Sequence, residues 1–278
     1  MKANPLPPQE CEVMLAAKSQ QGNEMVSQLV KTLGSALVYA DVGNFETNRK
    51  LWDNYAAEWG PNISWVQTMA RGSRADRLDI VGDEWSTREE VARVVQEFVL
   101  PYVGVESEVA EIGCGGGRVT TQVFGHVGNI TCFDISRNML KRARAAVDEA
   151  GGHGQAKFVL LENPQLPARL GRSFDFVILF DVLVHVDLHT TNTYMREVAR
   201  VLKPGGKAFV STANLLSPGG WERFQMQSKY SVGGFYFICP AMVQKLVAEA
   251  GLKIVKEAPF DPTNIYYYRD YLIILEKP

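Results

Sequence analysis

The stretch Val109-Ala-Glu-Ile-Gly-Cys-Gly-Gly-Gly-Arg118 constrains this chain more than any other. An apolar strand carrying an acid, Glu111, breaks at once into Gly113, Gly115, Gly116 and Gly117. Glycine permits a sharp turn and lets a ligand approach the backbone without meeting a Cβ. A glycine-rich turn that leaves a parallel strand and enters a helix is where open α/β sheets bind adenosine-bearing cofactors. A dinucleotide site asks for Gly-x-Gly-x-x-Gly. Counting from Gly113 and Gly115, Arg118 stands where the third glycine belongs, so that fingerprint is broken.

The segments that follow repeat the strand-then-acid pattern. Ile130-Thr-Cys-Phe-Asp134 reads as a second short strand. Its acid lies about 20 residues past the glycines, the offset of a ribose-binding carboxylate. Asp134 offers charged acceptors to both ribose hydroxyls. Its other possible task, capping the helix that follows, suits Ser136 at least as well. Phe158 to Leu161 is a third strand, followed by Glu162 and Asn163. The apolar run Phe176 to Phe180 fits a strand buried on both faces, as in parallel sheets. Asp181 and His185 come directly after it. A helix then ends at Lys203-Pro-Gly-Gly206, where Pro204 and Gly205 stop it, and Ala208 to Thr212 is a further strand.

In this order the segments resemble the class I methyltransferases that use S-adenosylmethionine, of the small-molecule type found in ubiquinone and menaquinone biosynthesis. The resemblance runs from residue 88 to residue 212. Glu111 to Gly117 is similar to motif I of that family. Asp181-Val-Leu-Val-His185 resembles its Asp-Val-Leu-Glu-His loop, with Val184 replacing the frequent glutamate. The resemblance implies an α/β, Rossmann-like fold: a seven-stranded, mostly parallel sheet with helices on both faces and an N-terminal helical cap. It implies S-adenosylmethionine as cofactor. Glu111 would hold the methionine amino group, Gly113 and Gly115 would lie along the methionine and ribose, and Asp134 would bind the ribose. Cys114, Gly117, Ile135, Met139 and Phe180 would complete the cofactor's surroundings. Glu162 and Asn163 stand near the adenine, where the family usually has aspartate. A helix starting near Gly117 would present free N–H groups to a carboxylate. Arg118 either adds charge there or faces solvent.

Methyl transfer from a sulfonium is an in-line displacement, in which the protein supplies position and electrostatics. An oxygen or nitrogen nucleophile also needs a base. His185, just past the fourth strand, is the candidate, because its ordinary pKa suits neutral pH. Asp181 either orients His185 or binds the acceptor. A thioether or thiolate acceptor needs no base, and both residues would then serve binding alone. Trp52, Tyr55 and Trp59 share one helical face at i, i+3 and i+7. They are either core or a cover over cofactor and substrate, where aromatic faces stabilise a sulfonium. Tyr55 is a third catalytic candidate. Gly82-Asp-Glu-Trp85 is either a loop near the cofactor or a turn in which Trp85 is a packing anchor, the second being favoured. Trp221, Tyr230, Phe235 and Tyr236 are candidate substrate-lining residues in a lid.

Length and composition limit the rest. The chain has 278 residues, 46% of them hydrophobic and 22% charged, ordinary values for a globular protein. Residues 1–85 read as an N-terminal helical arm and cap, and residues 86–278 as the methyltransferase domain, with a lid insertion at 213–239 lacking clear periodicity. Amphipathic helices across residues 9–40 would pack on the core or mediate a homodimer. Ser86-Thr-Arg-Glu-Glu90 is a capping-box pattern opening a helix that runs to Val103. Leu252 to Ala258 and Tyr266 to Leu275 read as the last two strands. The four cysteines form no Cys-x-x-Cys, which favours reduced thiols in the cytoplasm or another reducing compartment. No His/Cys cluster has metal-ligand spacing, so no metal is expected. There is no long basic block and the net charge is −2, which disfavours a nucleic-acid substrate. No run of roughly 18 apolar residues predicts a membrane span, and Met1 to Pro8 lacks the apolar core of a secretory signal.

Small-molecule methyl transfer to O, N or S is therefore the leading function. Methylation of RNA or protein is the second. A non-catalytic subunit that keeps the fold is the third, although Glu111, Gly113, Gly115 and Asp134 all stand. A nicotinamide-dependent reductase is the fourth, opposed by Arg118 and the Lys-Pro-Gly-Gly turn.

Overall fold

A computed structural model describes residues 44–229 and 233–278. The helices expected in residues 9–40, and Tyr230, lie outside the described residues. Seven strands form one sheet: β1 (Glu108–Ile112), β2 (Asn129–Asp134), β3 (Ala156–Leu160), β4 (Phe174–Leu179), β5 (Leu202–Ala213), β6 (Lys253–Glu257) and β7 (Asp270–Glu276). Their order is β3-β2-β1-β4-β5-β7-β6. β1 to β5 pair in parallel, and β7 runs antiparallel to both β5 and β6. The chain steps outward from β1 to β3 and returns to the other side of β1 with β4. That reversal opens a crevice above the carboxyl ends of β1 and β4, where such sheets bind ligands. The expected α/β, Rossmann-like, seven-stranded sheet is thus observed.

Side chains alternate across the sheet with period two. Val177, Leu179, Ala208, Val210, Ile273 and Leu275 join one apolar layer; Phe176, Ile178, Phe209, Leu272 and Ile274 join the other. The central strands carry apolar residues on both faces because helices cover both. Phe209 is buried between Phe98 and Phe180, with ring centroids 5.2 and 5.5 Å away. Phe209→Ala is expected to cost about 3–5 kcal/mol of stability, read from chemical denaturation. A loss under about 1 kcal/mol would mean the layer collapses around the gap.

The helices are α1 (Asn44–Glu58), α2 (Ser64–Ser73), α3 (Arg88–Phe98), α4 (Thr120–Val123), α5 (Arg137–Glu149), α6 (Leu188–Val201), α7 (Pro218–Met226), α8 (Pro240–Glu249) and α9 (Ile265–Arg269). α3 starts from the expected capping box, with Thr87 and Glu90 exchanging side-chain-to-backbone bonds, and buries Val91, Val94, Val95 and Phe98. It ends at Phe98, not Val103, in a tight turn over Leu100–Tyr102 that contains Pro101. Ser136 caps α5 by accepting from the Met139 N–H. The lid stretch was expected to lack periodicity, yet α7 forms there. Ser217 caps it and Pro218 occupies its first turn. Tyr266 to Arg269, expected as strand, are helical instead. The Asn264 side chain accepts from the Tyr266 N–H, and this local cap overrides the strand preference of an aromatic run. The helix expected to enter from Gly117 is only the four-residue α4, so no extended helix N-terminus faces the glycine turn.

Candidate functional site

The turn after β1 is pressed against its neighbours. Gly113 adopts φ +74, and a Cβ there would stand 2.3 Å from a methyl of Val182. A Cβ on Gly116 would stand 2.7 Å from the Val81 carbonyl oxygen. The Gly113 and Cys114 N–H groups donate to the Phe133 carbonyl at 2.7 and 3.2 Å, tying the turn to β2.

The two strand-end acids converge on this turn. Asp134 is 6% exposed. One of its oxygens accepts from the Gly115 N–H at 2.9 Å and the other from the Ser136 N–H at 2.8 Å. Burial pushes its carboxyl up to about 6, against the pull of those N–H groups. Glu111 is 4% exposed and accepts from the Thr120 hydroxyl at 2.6 Å. Burial pushes its carboxyl up to about 8, with the Asp134 charge adding to the rise. Among the described residues Glu111 has no cationic partner.

These groups open onto a cleft of about 1050 Å³, counting its solvent-open part. Of the expected cofactor residues, Glu111, Gly113, Cys114, Gly115, Asp134, Ile135, Met139 and Phe180 line it. Gly117, Glu162 and Asn163 do not. Gly117 packs on Ala143. Glu162 and Asn163 are exposed, and the preceding residue, Leu161, supplies the wall. Arg118 does not face solvent but borders the cleft. It is inside the wall, paired with Asp83 at 3.1 Å, and it donates to the Ser86 hydroxyl at 2.9 Å.

α1 forms another wall. Phe45, Asn48 and Trp52, at i, i+3 and i+7, face the cleft. Asp53 fastens α1 to the start of α5, accepting from the Ser136 hydroxyl at 2.8 Å and the Asn138 N–H at 2.9 Å. Tyr55 and Trp59 turn instead toward the buried Glu84. The Tyr55 hydroxyl donates to one Glu84 oxygen, and the Trp59 ring N–H donates to the other at 2.9 Å. Burial and the Glu84 charge hold the Tyr55 hydroxyl well above its ordinary range. Neither residue lines the cleft, whereas Trp85, expected as a packing anchor, does.

Beyond β4 the backbone turns through Asp181 at φ +59, a left-handed conformation uncommon outside glycine. The Asp181 N–H donates to the Ser211 hydroxyl at 2.8 Å, and its carboxylate accepts from Arg269 at 3.3 Å. His185 lies in the next turn, its ring 4.9 Å from Trp52 and its Nδ1 3.2 Å from the Gly234 carbonyl oxygen. A carbonyl can only accept, so the neutral ring carries its proton on Nδ1 and its lone pair on Nε2. Burial holds the imidazole below its ordinary 6.5, with the Asp181 charge opposing. Asp181 and His185 share the cleft, and the Asp181 carboxylate is engaged by Arg269. Trp221, 50% exposed, stacks on Phe224 outside the cleft. Phe235 is buried and packs edge-on against His185 at 5.6 Å, while the Tyr236 N–H donates to the Val184 carbonyl at 2.8 Å. Sequence reasoning missed Phe45, Asn48, Tyr194 and Tyr266 as wall residues. The helical spacing of Phe45, Asn48 and Trp52 was the available signal.

Residues 109–206 match the family described as methyltransferase domain. The chain is 33% identical over 120 residues to a ubiquinone biosynthesis O-methyltransferase of Xanthomonas euvesicatoria, covering 41% of this chain and 48% of that protein. The chain therefore spans about half the length of the curated relatives it matches. Magnesium protoporphyrin IX methyltransferase from Synechocystis, solved with bound SAH, superposes with TM-score 0.56 at 18% identity, covering 88% of this chain and all of that one. The cyclase SpnF superposes with TM-score 0.60 at 14% identity, covering 83% of this chain and 97% of that one. The methyltransferase-type fold and the resemblance read from motifs are both borne out by these matches.

Proposed function

We propose that this chain transfers the methyl group of S-adenosylmethionine to an O, N or S atom of a small-molecule metabolite. One observation carries the reading: two buried carboxylates, Glu111 and Asp134, end adjacent strands beside a turn kept open by glycine. The site fits that cofactor. Glu111 lacks a cation among the described residues and suits an ammonium group. Asp134 accepts from backbone N–H groups on both oxygens and keeps further lone pairs for ribose hydroxyls. When bound, the cofactor supplies an electrophilic methyl on a sulfonium. Glu111 and Asp134 then fix its two ends, and Leu161 and Phe180 exclude water.

The acceptor belongs at the far end of the cleft, between α1 and the turn carrying Asp181 and His185. An O–H or N–H nucleophile gives its proton to the Nε2 lone pair of His185, while Nδ1–H stays on the Gly234 carbonyl. His185→Ala is expected to lower turnover about a hundredfold or more and to leave S-adenosylhomocysteine affinity unchanged in calorimetry. Turnover near the wild-type value across neutral pH would leave His185 a binding residue only.

The cyclase neighbour shows that this fold hosts chemistry other than methyl transfer. Tritiated-methyl S-adenosylmethionine, offered with metabolite, RNA and protein fractions in turn, separates the alternatives. Label in the metabolite fraction is expected. Label in RNA or protein would favour the second function, and tight S-adenosylhomocysteine binding without any transfer would favour a non-catalytic role.

A further inference from the structure

Asn48 is the group in the cleft that the roles above leave unused. It sits on α1, is 1% exposed, and faces the cavity between Phe45 and Trp52. Its amide nitrogen donates to the His185 carbonyl oxygen at 3.0 Å. That bond fixes the orientation of the amide, because a carbonyl cannot donate. The side-chain oxygen Oδ1 is therefore turned away from His185's backbone, and among the described residues it has no hydrogen-bond partner. A buried acceptor left unpaired is destabilising, and native proteins rarely keep one without a use.

We propose that Asn48 recognises the methyl acceptor: its Oδ1 accepts a hydrogen bond from an uncharged O–H or N–H of the acceptor, a hydrogen other than the one that passes to His185. This rests on the reading of the cleft as a methyl-transfer site. The surroundings argue for an uncharged donor. Phe45, Trp52, Val182 and Val186 make this end of the wall apolar. Asp181, which also lines the cleft, is engaged by the buried Arg269, so it does not wait for an ammonium group. A carboxylate, thiolate or thioether would bring a lone pair against Oδ1 and leave it unsatisfied. Because the same amide is bonded to the His185 backbone, the oxygen and the imidazole are held in a fixed relation, one accepting a hydrogen bond that stays on the acceptor and the other receiving the proton of the atom to be methylated. A site built to bond a substrate O–H discriminates strongly against the analogue that lacks it.

The test uses S-adenosylhomocysteine-loaded full-length protein and matched probes: 2-naphthol, 2-naphthylamine, 2-methoxynaphthalene and 2-naphthoate. Calorimetry on the wild type is expected to show 2-naphthol or 2-naphthylamine bound at least about tenfold more tightly than the methoxy and carboxylate probes, since one good hydrogen bond is worth about that factor. In Asn48→Ala the preference falls to about twofold or less, with S-adenosylhomocysteine affinity unchanged. Asn48→Gln keeps both the donor and the acceptor of the amide and is expected to retain more of the preference than alanine, which a merely steric role would not predict. The proposal is overturned if the wild type binds no donor probe or does not prefer one, if Asn48→Ala keeps the preference, or if Asn48→Ala loses cofactor-product affinity. That last outcome would assign Asn48 to the cofactor. Failure of S-adenosylhomocysteine to bind the wild type would instead sink the underlying reading, so the two failures are distinguishable.

Discussion

Glu111→Gln is expected to make the ligand-free protein more stable at pH 8 and much poorer at binding S-adenosylmethionine. Burial raises the Glu111 carboxyl from an ordinary 4.5 to about 8. Between those values the folded protein holds a proton that the unfolded chain releases, so stability falls as pH rises through this window and levels off above it. At about 1.4 kcal/mol per pH unit the full penalty reaches about 5 kcal/mol, as an upper bound because the site relaxes. Glutamine keeps an oxygen for the Thr120 hydroxyl and carries no charge to bury. Denaturation at pH 5 and pH 8 checks this: the variant should gain on the wild type mainly at the higher pH. A variant less stable than wild type at pH 8 would mean the carboxylate is already compensated in the folded state. An ammonium placed beside Glu111 draws its pKa down. Cofactor binding near neutral pH should then release a proton, visible as a binding enthalpy that varies with the buffer. Losing that charge-assisted contact should weaken binding about tenfold to a hundredfold.

Asp134→Ala should weaken S-adenosylhomocysteine binding by more than about a hundredfold, the effect of losing two charge-assisted hydrogen bonds. The geometry adds a second cost. The same carboxylate receives the Gly115 and Ser136 N–H groups, so its removal also loosens the glycine turn and the start of α5. Asp134→Asn, which keeps one accepting oxygen, should fall between alanine and wild type. Because burial raises this carboxyl to about 6, wild-type affinity should decline as pH drops through that value. Calorimetry from pH 5 to 8 measures both effects. Unchanged affinity in Asp134→Ala would remove the ribose assignment.

What the sequence made legible was local. β1, its glycine turn, β2 and Asp134 lie within about 25 residues and are punctuated by glycine, a cap and strand-period apolarity. The double-sided burial of β4 could likewise be read from an unbroken apolar run. What stayed hidden depends on partners distant in the chain. Arg118 looked like a loop cation, but its partner Asp83 is 35 residues away and its contact Tyr266 is 148 away. Tyr55 and Trp59 share a helical face with Trp52, yet buried Glu84 draws both hydroxyl and indole away from the cleft. Periodicity names a face; it does not say which neighbour that face meets. Tyr266 was missed because an aromatic run favours strand on composition, while one Asn264 cap bends it into a turn of helix.

The placement of indoles around the cleft has a practical outcome. Of the five tryptophans, Trp52 and Trp85 border the cavity, whereas Trp221 is exposed on the outside. A molecule entering displaces solvent from the first two rings and leaves the third wet. Intrinsic emission therefore offers a label-free gauge of occupancy, and a Trp221→Phe background would remove the solvent-exposed indole that does not respond.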